Sequence, residues 1–269
     1  MTGSKQDEVV RSFFDEDSRR YWQERYPERV RTCGEFSYLA RKIHAFRMLS
    51  RVPRGKGRLL DLGCGPGVYT RDLLGLGWNV VDVDLSSQMV RTAKSVASDA
   101  PRASQADFAV SHAACLPFDS GVFDCVLCIG VISYIENLQQ ALSEISRVLR
   151  PSGAAIFQIS NRGSLYELWV RMKRGMRRRS GSGDRPSLES QIRYRPYWPK
   201  TFREACLGAR LQAYDDRYYD FHVPVLAGHL PGPSLWAARR LEYLSDTRAW
   251  AWLGASYLVA VRRLGPPAG

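Results

Sequence analysis

The sequence has no run of about 18 apolar residues, the length that a membrane-spanning helix needs. Its first eight residues are mostly polar and lack the apolar core of a signal peptide. We therefore expect a cytoplasmic protein rather than a secreted or membrane-embedded one. Apolar residues make up 45% of the 269 positions and charged residues 25%, proportions typical of a globular protein with a buried core.

Cysteine is too scattered to predict a disulfide framework or a metal centre. The chain has six cysteines, and one pair, Cys125 and Cys128, has the CxxC spacing. These two fall in a predicted strand, where positions three apart point to opposite faces of the sheet. Because no second pair lies near by, we interpret the cysteines as small buried side chains in a reducing compartment and predict no metal.

Lysine is also rare, since only six of the 39 basic residues are Lys, although the net charge is +12. An arginine bias of this kind can reflect genomic base composition, so the charge alone does not indicate a nucleic-acid partner. We do not expect nucleic acid to be the partner, and the sequence predicts no particular oligomeric state.

The most informative segment is a glycine-rich loop between two apolar runs. The first run, 59–62, contains Asp61, and glycines follow at positions 63, 65 and 67. The second run, 79–84, ends in Asp84. This pattern predicts a strand, a tight turn, a helix and a second strand whose tip carries a carboxylate. A carboxylate about 20 residues beyond such a loop is placed to accept hydrogen bonds from ribose hydroxyls.

The spacing of the glycines favours one class of nucleotide ligand. A dinucleotide fingerprint reads Gly-x-Gly-x-x-Gly, whereas residues 63–67 read Gly-Cys-Gly-Pro-Gly, and Val68 stands where the third glycine of that fingerprint would fall. Asp61 would repel a pyrophosphate but suits an ammonium group. An adenosyl ligand with an amino-acid tail therefore fits better than NAD. In this Asp-x-Gly-x-Gly-x-Gly form the chain resembles the class I S-adenosylmethionine (SAM) methyltransferases.

Two segments farther along extend this resemblance. Residues 115–118, Cys-Leu-Pro-Phe, and Phe123-Asp124 are similar to the Leu-Pro-Phe and Phe-Asp stretch before the fourth strand of that family. Residues 141–153 are similar to its helix that ends in Arg-Val-Leu-Lys-Pro-Gly-Gly. The ordered series covers about residues 55–160 and is much more specific than a glycine loop alone.

The predicted fold is α/β. Strands are predicted at 58–62, 79–84, 106–110, 123–129 and 154–160, with helices at about 68–76, 86–98 and 137–149. Their alternation predicts a parallel sheet covered by helices on both faces, with the glycine loop and Asp84 at one edge. The resemblance implies a Rossmann-like sheet of seven strands. The remaining elements are predicted as a helix at 201–208, a strand at 209–221, a helix at 234–244 and a strand at 255–263.

The resemblance also implies four parts: an N-terminal helical cap over 1–50, a SAM-binding core over 51–160, a basic lid insertion over 161–200, and a C-terminal part over 201–269 that carries a substrate-side insertion. In the cap, Phe14-Asp15, Tyr21 and Tyr26 resemble a cap that folds over the cofactor in related small-molecule enzymes. Packing on the sheet is the alternative for each of these aromatic side chains.

Family resemblance further implies which residues bind SAM. The glycine loop would hold the methionine tail, with Asp61 near its ammonium and Arg41 within reach of its carboxylate. Asp84 would bind the ribose. Members often have Asp or Asn at the position of His112 to bind the adenine amino group, so that contact is open here. The full set is Tyr26, Arg41, Asp61, Gly63, Cys64, Gly65, Gly67, Asp84, Leu85 and Met89 (packing on adenine), His112, Ala113 through its backbone, and Cys128 and Ile129 through their carbonyls.

The catalytic group is less well indicated, because methyl transfer from a sulfonium depends chiefly on proximity and orientation. Tyr134 lies in the segment where related enzymes often have paired histidines, and it is a candidate orienting or acid–base group. His222, in the late insertion, is a second candidate, although a lone histidine is more often structural.

A basic amphipathic helix is predicted over 164–179. Its apolar stripe is Leu165, Leu168, Trp169, Met172 and Met176, and basic residues at 171, 173, 174 and 177–179 mostly cover the other side. We expect a lid whose apolar stripe packs over the active site. The alternatives that we keep open are contact with an acidic or amphiphilic substrate and peripheral membrane contact through 164–179.

Together these features predict a SAM-dependent methyltransferase acting on O or N of a small or lipophilic metabolite, such as a natural product, a quinone or a lipid-like acceptor. An RNA methyltransferase is one alternative, but the chain reads Cys-Ile-Gly-Val at 128–131 rather than a nucleobase-directed Asn/Asp-Pro-Pro-Tyr motif. A non-catalytic SAM-binding regulatory protein is the other.

Overall fold

A computed structural model describes residues 4–25, 29–52, 57–179, 192–221, 230–247 and 250–265. Its centre is a seven-stranded sheet in the order β3-β2-β1-β4-β5-β7-β6. The strands are β1 Arg58–Leu62, β2 Asn79–Asp84, β3 Ala106–Val110, β4 Phe123–Cys128, β5 Leu149–Ser160, β6 Leu211–Tyr219 and β7 Ser256–Arg263. The first five strands run parallel, and β7 is antiparallel to both of its neighbours.

Eight α-helices lie within the described residues. They are α1 Lys5–Arg25, α2 Cys33–Leu49, α3 Thr70–Gly75, α4 Ser87–Ala97, α5 Leu138–Val148, α6 Leu165–Arg179, α7 Pro199–Gly208 and α8 Pro231–Leu241. The predicted α/β fold is confirmed, and most element bounds agree within two or three residues. One strand was predicted too short: β5 begins at Leu149 rather than at 154, because its first residues pair with Phe123 ahead of a register shift.

The sheet separates two apolar cores, because alternate side chains of a strand point to opposite faces. Val126 and Phe157 lie in the core beneath α5 and α7, whereas Leu127 and Ile156 lie in the core beneath α2 and α3. Cys125 and Cys128 are both fully buried and lie in different cores, as their spacing predicts. In the part of the chain that the structure describes, no helix is both long and apolar enough to cross a membrane.

Candidate active site

The site lies at the carboxyl edge of the parallel strands, where the order of the sheet reverses between β1 and β4. Open α/β sheets bind their ligands at this point, because the loops that follow the two strands diverge and leave a crevice. The loop after β1 contains the glycines, and the segment after β4 contains Gly130 and a short 3-10 turn, Ile132–Tyr134.

The glycine loop has the backbone conformation that its composition predicts. Gly63, Gly65 and Gly67 all have positive φ, at 77°, 55° and 82°. At Gly63 an added Cβ would lie 2.0 Å from Cγ2 of Val131, so only glycine lets the loop approach the segment after β4. At Gly65 nothing lies within 4 Å of such a Cβ, which leaves open space above the loop.

Asp84, at the tip of β2, connects this loop to the start of α4. Its carboxylate accepts hydrogen bonds from the backbone N–H of Gly65 at 2.9 Å and from that of Ser86 at 2.9 Å. Burial raises the pKa of Asp84 above its ordinary value, while these backbone bonds oppose the rise. A carboxylate accepts about four hydrogen bonds, so Asp84 retains capacity for a ligand.

Two further carboxylates are buried beneath the loop. Oδ2 of Asp61 is buried without a hydrogen-bond partner, and Asp82 accepts a hydrogen bond of 2.6 Å from the hydroxyl of Thr70. Burial and the neighbouring acids raise the pKa of Asp61 well above its ordinary value. A cation bound near this cluster would relieve the mutual repulsion. Sequence reasoning overlooked Asp82, although its place two residues before Asp84 puts both side chains on the same face of β2.

A first cavity, of about 110 Å³ and mostly apolar, opens above the glycine loop. Many of the predicted cofactor residues line it: Gly63, Gly65, Asp84, Leu85, Met89, His112, Ala113 and Ile129. Other residues in its wall were not predicted for this role: Asp7, Val10, Arg11, Leu62, Ser86, Ser111, Gly130, Val131 and Ile135. The predicted assignments therefore converge on one space at the edge of the sheet.

Some predicted cofactor residues lie elsewhere. Asp61, Cys64 and Gly67 lie in or beneath the loop without lining the first cavity, and Cys128 is fully buried in the apolar core. β4 ends at Cys128 and the chain turns toward the cavity at Ile129, so the carbonyl contact expected of Cys128 stays a prediction. Tyr26 lies outside the described residues.

Helix α1 closes the first cavity from above and is anchored on both sides of it. Asp15 accepts hydrogen bonds from the Ser86 hydroxyl at 2.6 Å and from the Gln88 N–H at 3.2 Å. On the other side, Oδ1 of Asp7 lies 3.1 Å from Nε2 of His112. Phe14 lies between these two anchors and lines the cavity, and its role in capping the cofactor stays a prediction.

A second cavity, of about 340 Å³, adjoins the first, and Gly130 and Tyr134 line both. Its wall contains several polar side chains that are otherwise buried: Ser133, Gln158, Glu167, Asp220 and Ser256. Buried polar groups are unfavourable unless they are hydrogen-bonded, so this wall suits a polar ligand or ordered water. Arg41, predicted for the cofactor, lines this second cavity, and its Nη1 would lie 2.9 Å from a Cβ at Gly130.

Tyr134 lies at the junction of the two cavities. Its ring makes edge contacts with Phe14 of α1, at 5.8 Å between centroids, and with Tyr194, at 5.5 Å. The Tyr194 hydroxyl contacts that of Ser160 at the end of β5. Tyr134 is thus held by aromatic neighbours on both sides at the junction of the two cavities. His222, the other predicted catalytic residue, lies outside the described residues.

The expected orientation of α6 was wrong. Leu165, Leu168, Met172 and Met176 are between 52% and 62% exposed, so most of the apolar stripe faces solvent. The opposite side, with Tyr166, Glu167, Val170 and Arg174, lines the second cavity. The physical reason is that the cavity beneath the helix is polar, so the polar side faces inward. Burial raises the pKa of Glu167, while the arginines around it oppose the rise.

Comparison with known proteins decides the family. Residues 60–157 match a family model described as a methyltransferase domain. These residues of the chain are a methyltransferase domain, and the sheet around them has the class I Rossmann-like fold. The predicted family and its predicted fold are both confirmed.

Two curated relatives are similar in sequence to this part of the chain. The chain is 35% identical over 123 residues to malonyl-[acyl-carrier protein] O-methyltransferase of Enterobacter lignolyticus, covering 45% of this chain and 46% of that protein. It is 28% identical over 159 residues to a ubiquinone biosynthesis O-methyltransferase of Aromatoleum aromaticum, covering 55% and 61%. The chain thus spans about half the length of the curated relatives that it matches.

A solved structure shows the same fold over nearly the whole chain. Geranyl diphosphate C-methyltransferase from Streptomyces coelicolor, in complex with Mg²⁺, geranyl diphosphate and S-adenosyl-L-homocysteine (SAH), superimposes with a TM-score of 0.63. The superposition covers 98% of this chain and all of that one, at 17% identity. At this level of identity the similarity concerns the fold.

Proposed function

We propose that this chain is a SAM-dependent methyltransferase that transfers a methyl group to O or N of a small or lipophilic metabolite. The observation that carries the proposal is the pair of adjoining cavities with Gly130 and Tyr134 in their common wall. One cavity has the glycine loop and Asp84, and the other has buried polar groups for an acceptor. In this proposal residues 1–50 cap the cofactor, 51–160 bind it, 161–200 cover the acceptor, and 201–269 complete the wall of its cavity.

The residues around the first cavity fit SAM. The unpartnered Oδ2 of Asp61 and the acidic surroundings of the loop suit an ammonium group. Asp84 would accept hydrogen bonds from the ribose hydroxyls, and the apolar side chains of Leu85 and Met89 would flank the adenine ring. When bound, SAM supplies an electrophilic methyl group.

The second cavity would position the acceptor and receive its proton. Tyr134 would orient the acceptor atom through its hydroxyl, at the wall shared with the cofactor. Glu167 and Asp220 are two carboxylates in the cavity wall that could accept a proton from a hydroxyl or an ammonium acceptor. Helix α6 and the aromatic side chains would exclude water and fix the acceptor in line with the methyl group.

The names of the relatives indicate which acceptors to test. One methylates malonyl-[acyl-carrier protein], and the other acts in ubiquinone biosynthesis. Incubating the protein with SAM and either malonyl thioesters or phenolic quinone precursors should give a product heavier by one methyl group. Cofactor binding without any turnover across such a panel would instead favour a SAM-binding regulatory protein.

The Tyr134→Phe variant tests the orienting role. We expect the affinity for SAH to stay within about twofold of the wild-type value. The rate at which the acceptor is methylated should fall by about tenfold or more. Tyr243→Phe is the matched control, since Tyr243 is 66% exposed and lines neither cavity. Equal turnover in the wild type and in Tyr134→Phe would reject the role.

In this proposal the outward apolar stripe of α6 also binds the protein to a lipid surface, where the acceptor is available. The exposed apolar side chains Leu168 and Met172 lie beside the exposed cations Arg171 and Lys173. Asn161, four residues before α6, donates hydrogen bonds to the carbonyl oxygens of Trp252 and Gly254 at 2.8 and 2.9 Å, so the backbone at Trp252 lies near the start of this helix. Trp252 is itself 51% exposed. An apolar stripe with flanking cations and Trp suits an anionic bilayer.

Replacing both Leu168 and Met172 with Gln should weaken binding to phosphatidylglycerol vesicles by about tenfold, because two apolar side chains no longer enter the lipid. Leu207→Gln is the control, since Leu207 is 55% exposed but lies on α7. Co-sedimentation with vesicles measures the effect. If the wild-type protein does not sediment with them at low salt, the proposed binding to a lipid surface is wrong.

A further inference from the structure

The adenine end of the first cavity has an unexpected composition. His112 occupies the position where similar methyltransferases often have an Asp or Asn that binds the adenine amino group. That amino group is a hydrogen-bond donor, so it needs an acceptor. Histidine can accept only through an unprotonated ring nitrogen that has no other partner.

The hydrogen bonds of His112 leave no such nitrogen. Its Nδ1 accepts a hydrogen bond from the backbone N–H of Ala114 at 3.1 Å, so this nitrogen carries no proton. The proton of the neutral ring is then on Nε2, which points at Oδ1 of Asp7, 3.1 Å away. In this arrangement both ring nitrogens are engaged, and His112 donates toward α1 rather than accepting from a ligand.

Asp7 provides the acceptor that His112 lacks. It lines the first cavity beside His112 and Ala113, and its Oδ2 accepts a hydrogen bond of 2.8 Å from the backbone N–H of Ser4. Burial raises the pKa of Asp7, but the hydrogen bonds from Ser4 and His112 lower it by more. The pKa of Asp7 therefore lies below its ordinary value. The ionised carboxylate has about four acceptor positions, of which the Ser4 backbone, the Ser4 side chain and His112 use three. Arg11, in the same wall, has donors only.

We propose that Asp7 accepts a hydrogen bond from the 6-amino group of the cofactor's adenine, and that His112 acts as a positioning residue that holds the Asp7 carboxylate toward the cavity. The inference rests on the proposed function, because it concerns the same cofactor site. It means that the acceptor for adenine comes from α1, which the Asp15 contacts with Ser86 and Gln88 also anchor. Recognition of adenine and docking of α1 over the cofactor would then be one event.

The test compares SAH with its purine-riboside analogue, in which hydrogen replaces the 6-amino group. By calorimetry we expect the wild-type protein to bind SAH at least about tenfold more tightly than the analogue. One charge-assisted hydrogen bond contributes an affinity ratio of this size. Asp7→Ala should bring this ratio close to one by weakening SAH alone. His112→Ala should give an intermediate ratio. Glu8→Ala, at an exposed neighbouring position on α1, should keep the wild-type ratio.

If Asp7 had only a structural role, Asp7→Ala would weaken the binding of SAH and of the analogue equally. An affinity ratio that stays at the wild-type value in Asp7→Ala therefore overturns the inference. If Asp7→Ala does not fold, Asp7→Asn preserves the shape of the side chain and should still reduce the ratio. A wild-type protein that binds SAH and the analogue equally well also overturns the inference but leaves the proposed function intact. A wild-type protein that binds neither ligand refutes both.

Discussion

Asp84→Ala is expected to reduce SAH affinity by about a hundredfold or more while the protein stays folded. In the proposed complex Asp84 makes two charge-assisted hydrogen bonds to the ribose, each contributing about 1.5–3 kcal/mol. The same carboxylate holds the backbone N–H groups of Gly65 and Ser86, so its removal also releases the loop from α4.

Calorimetric titration with SAH measures this effect, and a thermal melt checks the fold. Asp107→Ala is the matched control, because the Asp107 side chain is 77% exposed on β3, away from the first cavity. We expect wild-type affinity from the control. Wild-type SAH affinity in a folded Asp84→Ala protein would show that Asp84 does not bind the ribose.

Gly63→Ala is expected to lower the free energy of unfolding by about 2–5 kcal/mol and to remove SAH binding. The left-handed backbone at Gly63 contributes about 1–2 kcal/mol of strain for any other residue. The overlap of the new Cβ with Val131 adds about 1–3 kcal/mol. The loop would have to move away from the segment after β4, and the cavity between them would change shape.

Two further variants separate these causes. Gly75→Ala, at the end of α3, introduces a Cβ that meets nothing within 4 Å, and we expect its stability to equal or exceed that of the wild type. Val131→Ala combined with Gly63→Ala should recover part of the stability, because it removes the overlapping methyl groups but not the backbone strain. If urea unfolding shows Gly63→Ala to be as stable as Gly75→Ala, the close packing of the loop is not as described.

The fold and the loop could be predicted because their signals are local in the sequence. The run that ends in Asp84 and the glycines at 63, 65 and 67 each determine a backbone conformation within a few residues. The parallel order of the strands then brings these segments to one edge of the sheet. The family resemblance assigned residues as far apart as Gly63, His112 and Ile129 to one site, and all three line the first cavity.

Other features depend on contacts that no local pattern encodes. Asp7 reaches His112 across more than a hundred positions of sequence, and only the docking of α1 brings them together. The periodicity of α6 shows that one side is apolar but not which side faces the cavity, and the polar wall of the second cavity reversed the expected orientation. The place of Arg41 in the wall of the second cavity likewise follows from the packing of α2 and not from its neighbours in the sequence.

Titration of the wild-type protein with SAH and, separately, with NADH tests the central claim most directly. The glycine spacing, the unpartnered Asp61 oxygen and the position of Asp84 predict one SAH site with an affinity in the micromolar range and no binding of NADH. Binding of NADH together with no binding of SAH would contradict the assignment of this cavity to SAM and, with it, the proposed methyl transfer.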